Sequence, residues 1–200
     1  NYIGLVASKP PFDDPLVRKA FLLATDRQQL VTDIYGDSRE LANGFLPPGL
    51  PGHNASIKES GFDPVEARRL LRNSSYGGPD GLPEIIYITT GFSEPSAAVS
   101  AILAMWRTNL NIDVQATLIR DAYYYALPLA LDIANIYDYG WIADYPDPHN
   151  FLDVLFHSNA DNNVGGYSNA EVDTLLERAR TEQQEATRLE LYEEVEKILI

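Results

Sequence analysis

The chain has 200 residues, of which 45% are hydrophobic, so it is long and apolar enough to bury a sizeable core. Its 29 acidic and 15 basic side chains give a formal net charge of −14, which opposes binding to nucleic acid or anionic lipid and favours neutral or cationic ligands. Cysteine is absent, which excludes disulfides, thiolate nucleophiles and cysteine metal sites.

The first part of the chain predicts a strand and a long helix. Tyr2–Ala7 is a short apolar stretch typical of a buried strand. Residues 14–36 carry apolar side chains at helical spacing, with an acidic start and Gly36 as the stop. Residues 38–60 are rich in proline, glycine and asparagine, which predicts a surface loop.

The middle of the chain predicts a strand, a helix and a second strand. A short helix comes first, with Asp63 as its N-cap and Pro64 at its first position. Residues 83–91 and 112–119 have the composition of strands, and residues 94–111 between them have helical spacing. This order predicts a right-handed crossover between the two strands.

The last third predicts a helix over residues 121–132 that is broken at Leu127–Pro128, and then a strand over residues 134–143. Three helices follow: one over residues 148–156, one that begins with a Ser168–Glu171 capping box, and one at the end of the chain. The pattern predicts a mixed α/β domain with roughly four strands and six or seven helices. No apolar run approaches the roughly 20 residues that a membrane-spanning helix needs.

Both ends of the sequence indicate a fragment. The chain starts at Asn1 and enters a strand at once, and its last residues still follow a helical pattern with no glycine or asparagine to stop it. We expect residues 1–200 to form a single lobe of a larger protein.

The stretch Gly140–Pro148 is the best candidate for a functional site, because ligands of α/β proteins gather at the carboxyl ends of strands. Tyr145 precedes a proline, which favours an extended backbone that leaves the strand as an open arm. Two interpretations of Asp144 stay open: a loop carboxylate bonded to nearby amides, or a carboxylate that faces a ligand and binds an ammonium group. Asp147 directly precedes Pro148, which favours a helix cap.

Alternation along the predicted strand separates two faces. One face carries aromatic side chains and the other carries mixed ones, namely Tyr137, Tyr139 and Trp141 against Ile136, Asp138, Gly140 and Ile142. Ordinary packing under a helix is the favoured interpretation for the tyrosines. Trp141 lies nearer the strand tip and is a candidate for a pocket wall, while Gly140 allows another backbone to come close.

An enzymatic alternative uses Asp144 and Asp147 as the acid and base of glycoside hydrolysis. Two nearby acids in an acidic protein are weak evidence for it. Nucleophile-elbow, P-loop and dinucleotide-binding motifs are absent. The three histidines lack zinc-site spacing, and the loop over residues 159–169 lacks the ordered spacing of a calcium site. We therefore predict neither a metal nor a cofactor.

Several segments, in this order, resemble the C-terminal lobe of the family 5 extracellular solute-binding proteins, the peptide-type receptors of ABC importers. They cover nearly the whole chain: PPFDDPLVRKAFLLATDRQQLV, LPPGLPG, DPVEARRLL, GWIADYPDPHNFL, GYSNAEVDTLLERART and LELYEEVEKIL. The resemblance implies a periplasmic-binding-protein-like α/β lobe that lacks the first lobe and the final segment that returns to the hinge.

The resemblance also implies a function. Such a protein is a monomer that captures a solute outside the cytoplasm, delivers it to a membrane permease and catalyses no reaction, and it is often tethered by an N-terminal lipid. A peptide is the favoured ligand, and an oligosaccharide or a nickel complex is the alternative within the same fold.

In peptide-binding relatives, the aspartate of the Ala-Asp-Tyr segment takes the amino terminus of the ligand, and the strand before it pairs with the ligand backbone. By resemblance, the first role falls on Asp144 and the second on Gly140 to Ile142. Trp141 is then the expected pocket wall, and Tyr145 completes the ligand-binding segment.

Overall fold

The computed structural model describes residues 1–57, 61–91, 93–119 and 132–200. The predicted broken helix before Asp132 lies outside these residues. The chain forms two compact units, the first made of residues 1–41 and 60–139 and the second of residues 42–59 and 140–200. The assignment of the whole chain to a single lobe stays a prediction.

The first unit contains a mixed sheet, as the sequence predicts. Its four described strands are β1 (Tyr2–Leu5), β2 (Ile86–Thr90), β3 (Gln115–Ile119) and β4 (Ile136–Tyr139), in the spatial order β1-β4-β2-β3. β2 is parallel to both β3 and β4, and β1 is antiparallel to β4. The parallel pairing of β2 with β3 requires a crossover connection, and the helix Ala97–Leu110 lies between the two strands in the chain.

The described helices of the first unit are α1 (Pro15–Leu23), α2 (Arg27–Leu30), α3 (Pro64–Asn73) and α4 (Ala97–Leu110), with short π and 3-10 turns over residues 31–38 and 79–81. α3 begins as predicted, because the Asp63 carboxylate accepts hydrogen bonds from the amides of Val65 and Glu66. α4 ends where Asn111 adopts a left-handed conformation with φ of 59°.

The single long helix predicted over residues 14–36 is wrong, because the chain breaks between Leu23 and Arg27. The Thr25 hydroxyl donates a hydrogen bond to the carbonyl of Phe21 at 2.8 Å. The Asp26 carboxylate accepts the amide of Gln29 at 2.9 Å, and so it caps a new helix. Local side-chain bonds to the backbone therefore outweigh the continuous apolar spacing.

The core of the first unit is built around Trp106 of α4, which is buried. Its indole N–H donates a hydrogen bond to the Thr25 hydroxyl at 2.8 Å, and its ring centroid lies 5.0 Å from that of Phe21. Tyr87 of β2 lies beneath it with a ring-centroid distance of 6.2 Å. The hydrogen bond satisfies the indole nitrogen, so the ring is buried at no polar cost.

The second unit packs three helices and a loop around its own core. The helices are α5 (His149–Phe156), α6 (Ala170–Thr181) and α7 (Glu185–Leu199), and their buried side chains include Leu152, Val172, Leu176, Leu191, Tyr192 and Val195. Glu196 is buried, and its carboxylate accepts the amides of Phe45 and Leu46 at 2.7 and 2.9 Å. This carboxylate fixes the loop to α7.

The predicted Ser168–Glu171 capping box is wrong. Asn169 caps α6 instead, and its side-chain oxygen accepts the amides of Glu171 and Val172. The Ser168 hydroxyl is 3.2 Å from the Ser158 hydroxyl. Among the described helices, none has both the length and the apolar character required to cross a membrane.

We predict that Gly4→Ala destabilises the first unit by about 2 kcal/mol, the usual cost of overpacking. Gly4 pairs with Tyr137 across β1 and β4, and a Cβ atom at Gly4 would lie 2.1 Å from the ring of Tyr137, which is itself buried. Urea denaturation measures the change in the free energy of unfolding. Gly61→Ala is the matched control, because nothing lies within 4 Å of its added Cβ. Equal effects of the two substitutions would contradict the prediction.

Candidate functional site

The strand predicted over residues 134–143 is wrong in its second half, because β4 ends at Tyr139. Within β4 the alternation holds: Tyr137 and Tyr139 are both buried and their ring centroids lie 6.3 Å apart. Tyr2 of β1 contacts Tyr139 edge to face at 5.7 Å. The two tyrosines of β4 are therefore packed side chains, and their predicted packing under a helix stays a prediction, while Trp141 lies beyond the strand.

The chain after β4 is organised by Asn150, the second residue of α5, whose side chain is only 1% exposed. Its Oδ1 accepts a hydrogen bond from the indole N–H of Trp141 at 2.8 Å and another from the amide of Asp144 at 3.1 Å. Its Nδ2 lies 3.4 Å from Oδ2 of Asp144. One buried amide side chain therefore brings together two of the predicted site residues, and all of these contacts lie within the second unit.

Sequence reasoning missed Asn150. The available signal was its position in the first turn of a helix that follows a turn of prolines and aspartates, where side-chain amides often bond to the preceding loop. This signal does not indicate which residues the Asn150 side chain would bond to. Beyond the end of β4, the Asn150 side chain bonds to the Trp141 indole and to the Asp144 amide.

The structure bears differently on the two open interpretations of Asp144, because its backbone amide is bonded locally while its side chain is exposed. Its amide is bonded to Asn150, as expected for a loop residue held locally. The residue is exposed, and its carboxylate lies 3.4 Å from Nδ2 of Asn150. In the described part of the chain, no cationic side chain forms an ion pair with it. The geometry is therefore compatible with a carboxylate that accepts a ligand.

The other predicted site residues lie on either side of Asp144. Ile142 is 89% exposed and Tyr145 is 42% exposed, whereas Gly140 is half-buried. The Tyr145 hydroxyl lies 2.7 Å from Nδ1 of His149. The predicted open arm at Tyr145 is wrong, because the Asp147 amide donates a hydrogen bond to the Tyr145 carbonyl at 2.9 Å and the chain turns at Pro146.

Asp147 has a structural role, but the predicted N-cap position is wrong, because Pro148 is the N-cap residue of α5. Its Oδ1 accepts the amide of His149 at 2.9 Å, at the start of α5, and the guanidinium of Arg188 on α7 at 2.6 Å. Burial acts to raise the pKa of Asp147, but the hydrogen bonds from Arg188 and from the His149 amide outweigh it and hold this pKa below its ordinary value. A general acid needs a raised pKa, so this environment opposes the glycosidase alternative.

A second arginine, Arg180 on α6, forms an ion pair with Asp153 on α5. Nε and Nη2 of Arg180 donate to the two carboxylate oxygens of Asp153 at 2.8 and 2.7 Å. Asp153 is 4% exposed, so this bidentate pair satisfies a buried charge. The helix that carries Asn150 is therefore fixed by arginines from both α6 and α7.

Among the described residues, no group of three or more His, Asp or Glu side chains is arranged to hold a metal ion. The His53 ring bonds to the Leu46 carbonyl at 2.7 Å, and Nδ1 of the buried His157 accepts the Asn159 amide at 3.2 Å. In the loop considered for calcium, the Asn163 side chain bonds to the backbone of Tyr167. These polar groups take part in local structure.

Comparison with known proteins identifies relatives over most of the chain. A family model described as bacterial extracellular solute-binding proteins, family 5 Middle, matches residues 1–163. Oligopeptide-binding protein OppA of Bacillus subtilis is 27% identical over 202 residues, which cover 95% of this chain and 36% of that protein. Heme-binding protein A of Haemophilus influenzae is also 27% identical, over 99% of this chain and 37% of its own length.

A solved structure supports the fold. DppA of Helicobacter pylori, an ABC transporter-associated periplasmic binding protein in complex with the peptide STSA, matches with a TM-score of 0.88 and 27% identity, over 99% of this chain and 38% of that chain. The fold of the present chain is therefore that of a segment of these binding proteins, as the sequence predicts. The chain spans between a third and two fifths of the length of these relatives.

We predict that Asp147→Asn lowers the free energy of unfolding by about 1 kcal/mol at pH 7, because asparagine keeps an oxygen that accepts the His149 amide but loses the charge that pairs with Arg188. The folded pKa of Asp147 lies below its ordinary value of 3.8, so the pair stabilises the fold above that value. The difference from wild type should therefore vanish as the pH falls below 3.8 and through the folded pKa.

Urea denaturation between pH 7 and pH 2.5 measures this difference. Asp161→Asn, at an exposed carboxylate in the same unit, is the control and should change stability little. A loss at Asp147 that is independent of pH would mean that the ion pair is not its source.

Proposed function

We propose that this chain, which belongs to family 5 of the bacterial extracellular solute-binding proteins, forms part of a receptor that captures a peptide without catalysis and presents it to an ABC-type permease. One observation carries the proposal: the buried side chain of Asn150 accepts hydrogen bonds from the Trp141 indole and from the amide of Asp144, whose carboxylate is exposed. This arrangement offers a fixed anionic group next to a large aromatic ring.

A peptide amino terminus is an ammonium group, and it binds a carboxylate through a charge-assisted hydrogen bond worth roughly 1.5–3 kcal/mol. Asp144 is suited to this role because its carboxylate is exposed and Asp147, the other acid of the turn, is already paired with Arg188. The net charge of −14 further favours a cationic group over an anionic one.

Gly140 to Ile142 are proposed to contact the backbone of the ligand. They continue the chain directly beyond β4, whose pairing with β1 and β2 ends at or before Tyr139. An extended peptide can add to such a segment through main-chain hydrogen bonds. The exposed side chains of Ile142 and Tyr145, together with the Trp141 ring, would supply apolar contact area for the ligand side chains.

The names of the relatives support a peptide and also supply an alternative. OppA of Bacillus subtilis is named for oligopeptides, and the Helicobacter pylori protein holds the peptide STSA. The relative from Haemophilus influenzae is named for haem, and its sequence identity to this chain is the same as that of OppA. Haem carries two propionate groups, which the Asp144 carboxylate would repel, so the chemistry of this segment favours the peptide. A neutral oligosaccharide would leave the charge of Asp144 without a charged partner.

We further propose that the full-length protein acts as a monomer outside the cytoplasm, tethered to the membrane by an N-terminal lipid. The family description as extracellular supports the compartment. Capture in that compartment and delivery to a permease need no cofactor, and the proposal assigns none.

The proposal predicts that Asp144→Asn weakens binding of a free tripeptide to the full-length protein about 10- to 100-fold, the loss expected for one charge-assisted hydrogen bond. Calorimetric titration of trialanine and N-acetyl-trialanine into both proteins measures this. Acetylation should weaken binding to wild type by a similar factor, and it should weaken binding to the variant much less, because both changes remove the same interaction.

Asp161→Asn is the control for the loss of one negative charge elsewhere in the second unit. Hemin and maltotriose are titrated in parallel. Binding of either one with an affinity indifferent to Asp144, together with no binding of trialanine, would overturn the peptide assignment. Turnover of an oligosaccharide that needs both Asp144 and Asp147 would instead support the enzymatic alternative.

A further inference from the structure

We propose that Asn150 is the positioning residue of this site, and that its side-chain amide sets the Asp144 carboxylate and the Trp141 ring as one preformed unit for the ligand. The inference rests on the proposed function and deepens it. It assigns to Asn150 no contact with the ligand, only the placement of two groups that make such contacts.

The hydrogen-bonding capacity of Asn150 matches its partners. Oδ1 has two lone pairs and accepts two bonds, from the Trp141 indole at 2.8 Å and from the Asp144 amide at 3.1 Å. Nδ2 is a donor and faces Oδ2 of Asp144 at 3.4 Å. An acceptor and a donor are both required within one short side chain, and asparagine supplies them without a charge.

The burial of Asn150 makes the loss of any of these hydrogen bonds costly. Asn150 is 1% exposed, so water cannot readily replace a lost partner, and an unsatisfied buried group is costly. Asp144 and Ile142 are exposed, so burial of their side chains does not hold the segment. The position of the segment therefore depends on Asn150.

The helix that carries Asn150 is itself rigidly placed. Arg180 from α6 holds Asp153 by two hydrogen bonds, and Arg188 from α7 holds Asp147 at the start of α5. A site built on such a fixed element is held more precisely than one built on a loop alone. The hydrogen bonds of Asn150 fix Trp141 and Asp144, which are proposed to contact the ligand, to this helix.

The test uses the full-length protein with two substitutions. Asn150→Leu removes both the acceptor and the donor at similar volume. Asn150→Asp keeps the shape and the acceptors, but it replaces the donor with a carboxylate oxygen near Oδ2 of Asp144. Two carboxylates at that distance disfavour joint ionisation, so peptide binding to Asn150→Asp should be lost at a higher pH than in wild type.

Asn150→Leu should weaken trialanine binding at pH 7.5 at least tenfold, and it should weaken N-acetyl-trialanine binding less. For Asn150→Asp, the pH at which trialanine binding falls to half should rise by about one unit or more. Tyr145, Asp147 and His149, the other titratable groups of this turn, are unchanged in both variants. Asn73→Asp, at an exposed position in the first unit, controls for the added charge.

The second readout does not depend on the ligand. The indole N–H resonance of Trp141, assigned by its loss in Trp141→Phe, should shift in Asn150→Leu because its hydrogen bond is gone. Wild-type affinity and an unshifted resonance in Asn150→Leu would overturn the inference. If Asn150→Leu fails to fold, the isosteric Asn150→Asp decides through its pH profile, and an unchanged profile would overturn the inference.

The two proposals fail separately. If wild type binds no peptide, the proposed function fails. The indole N–H resonance of Trp141 and the backbone amide resonance of Asp144, followed in labelled protein, then still report whether Asn150 positions both residues. If wild type binds trialanine through Asp144 while both Asn150 variants match it, the function stands and the positioning role is refuted.

Discussion

The candidate site depends on the placement of α5 by two arginine–aspartate pairs. Arg180 forms a bidentate pair with Asp153, which is almost fully buried, and Arg188 binds Asp147 two residues before the helix begins. Removing one partner of a buried pair leaves an uncompensated charge, which is far more costly than the net contribution of the intact pair. These pairs therefore act as constraints on geometry, and the Asn150 side chain inherits its position from them.

The two aspartates of the site segment illustrate how environment assigns roles to identical side chains. Asp147 lies against Arg188 and the amide of His149, which hold its pKa low and use its lone pairs within the fold. Asp144 is exposed, and among the described residues no cation pairs with it. A catalytic pair would need the opposite arrangement, with one carboxyl kept protonated. A single accessible carboxylate on a fixed turn is suited to binding an ammonium group.

Sequence reasoning succeeded where local rules decide. The cap at Asp63, the β-branched strand around Tyr87 and the apolar stripe of α4 all follow from residues that are close in the chain. It failed at Asp26, where a cap interrupts an apolar pattern that continues across it. It also failed beyond Tyr139, where side-chain bonds from Asn150 hold Trp141 and Asp144, because periodicity carries no information about such bonds.

The same limit explains which part of the site was visible in the sequence. Asp144 and Trp141 were identified because their motif resembles a family and because strand tips attract ligands. Asn150 is a polar residue whose importance comes from its burial and from two partners six and nine positions earlier in the chain. Its effect on ligand affinity would be indirect, since it determines the freedom of Asp144 and Trp141 before the ligand arrives. Because preformed groups lose less conformational entropy on binding, a buried amide that touches no ligand can contribute to affinity as much as a direct contact.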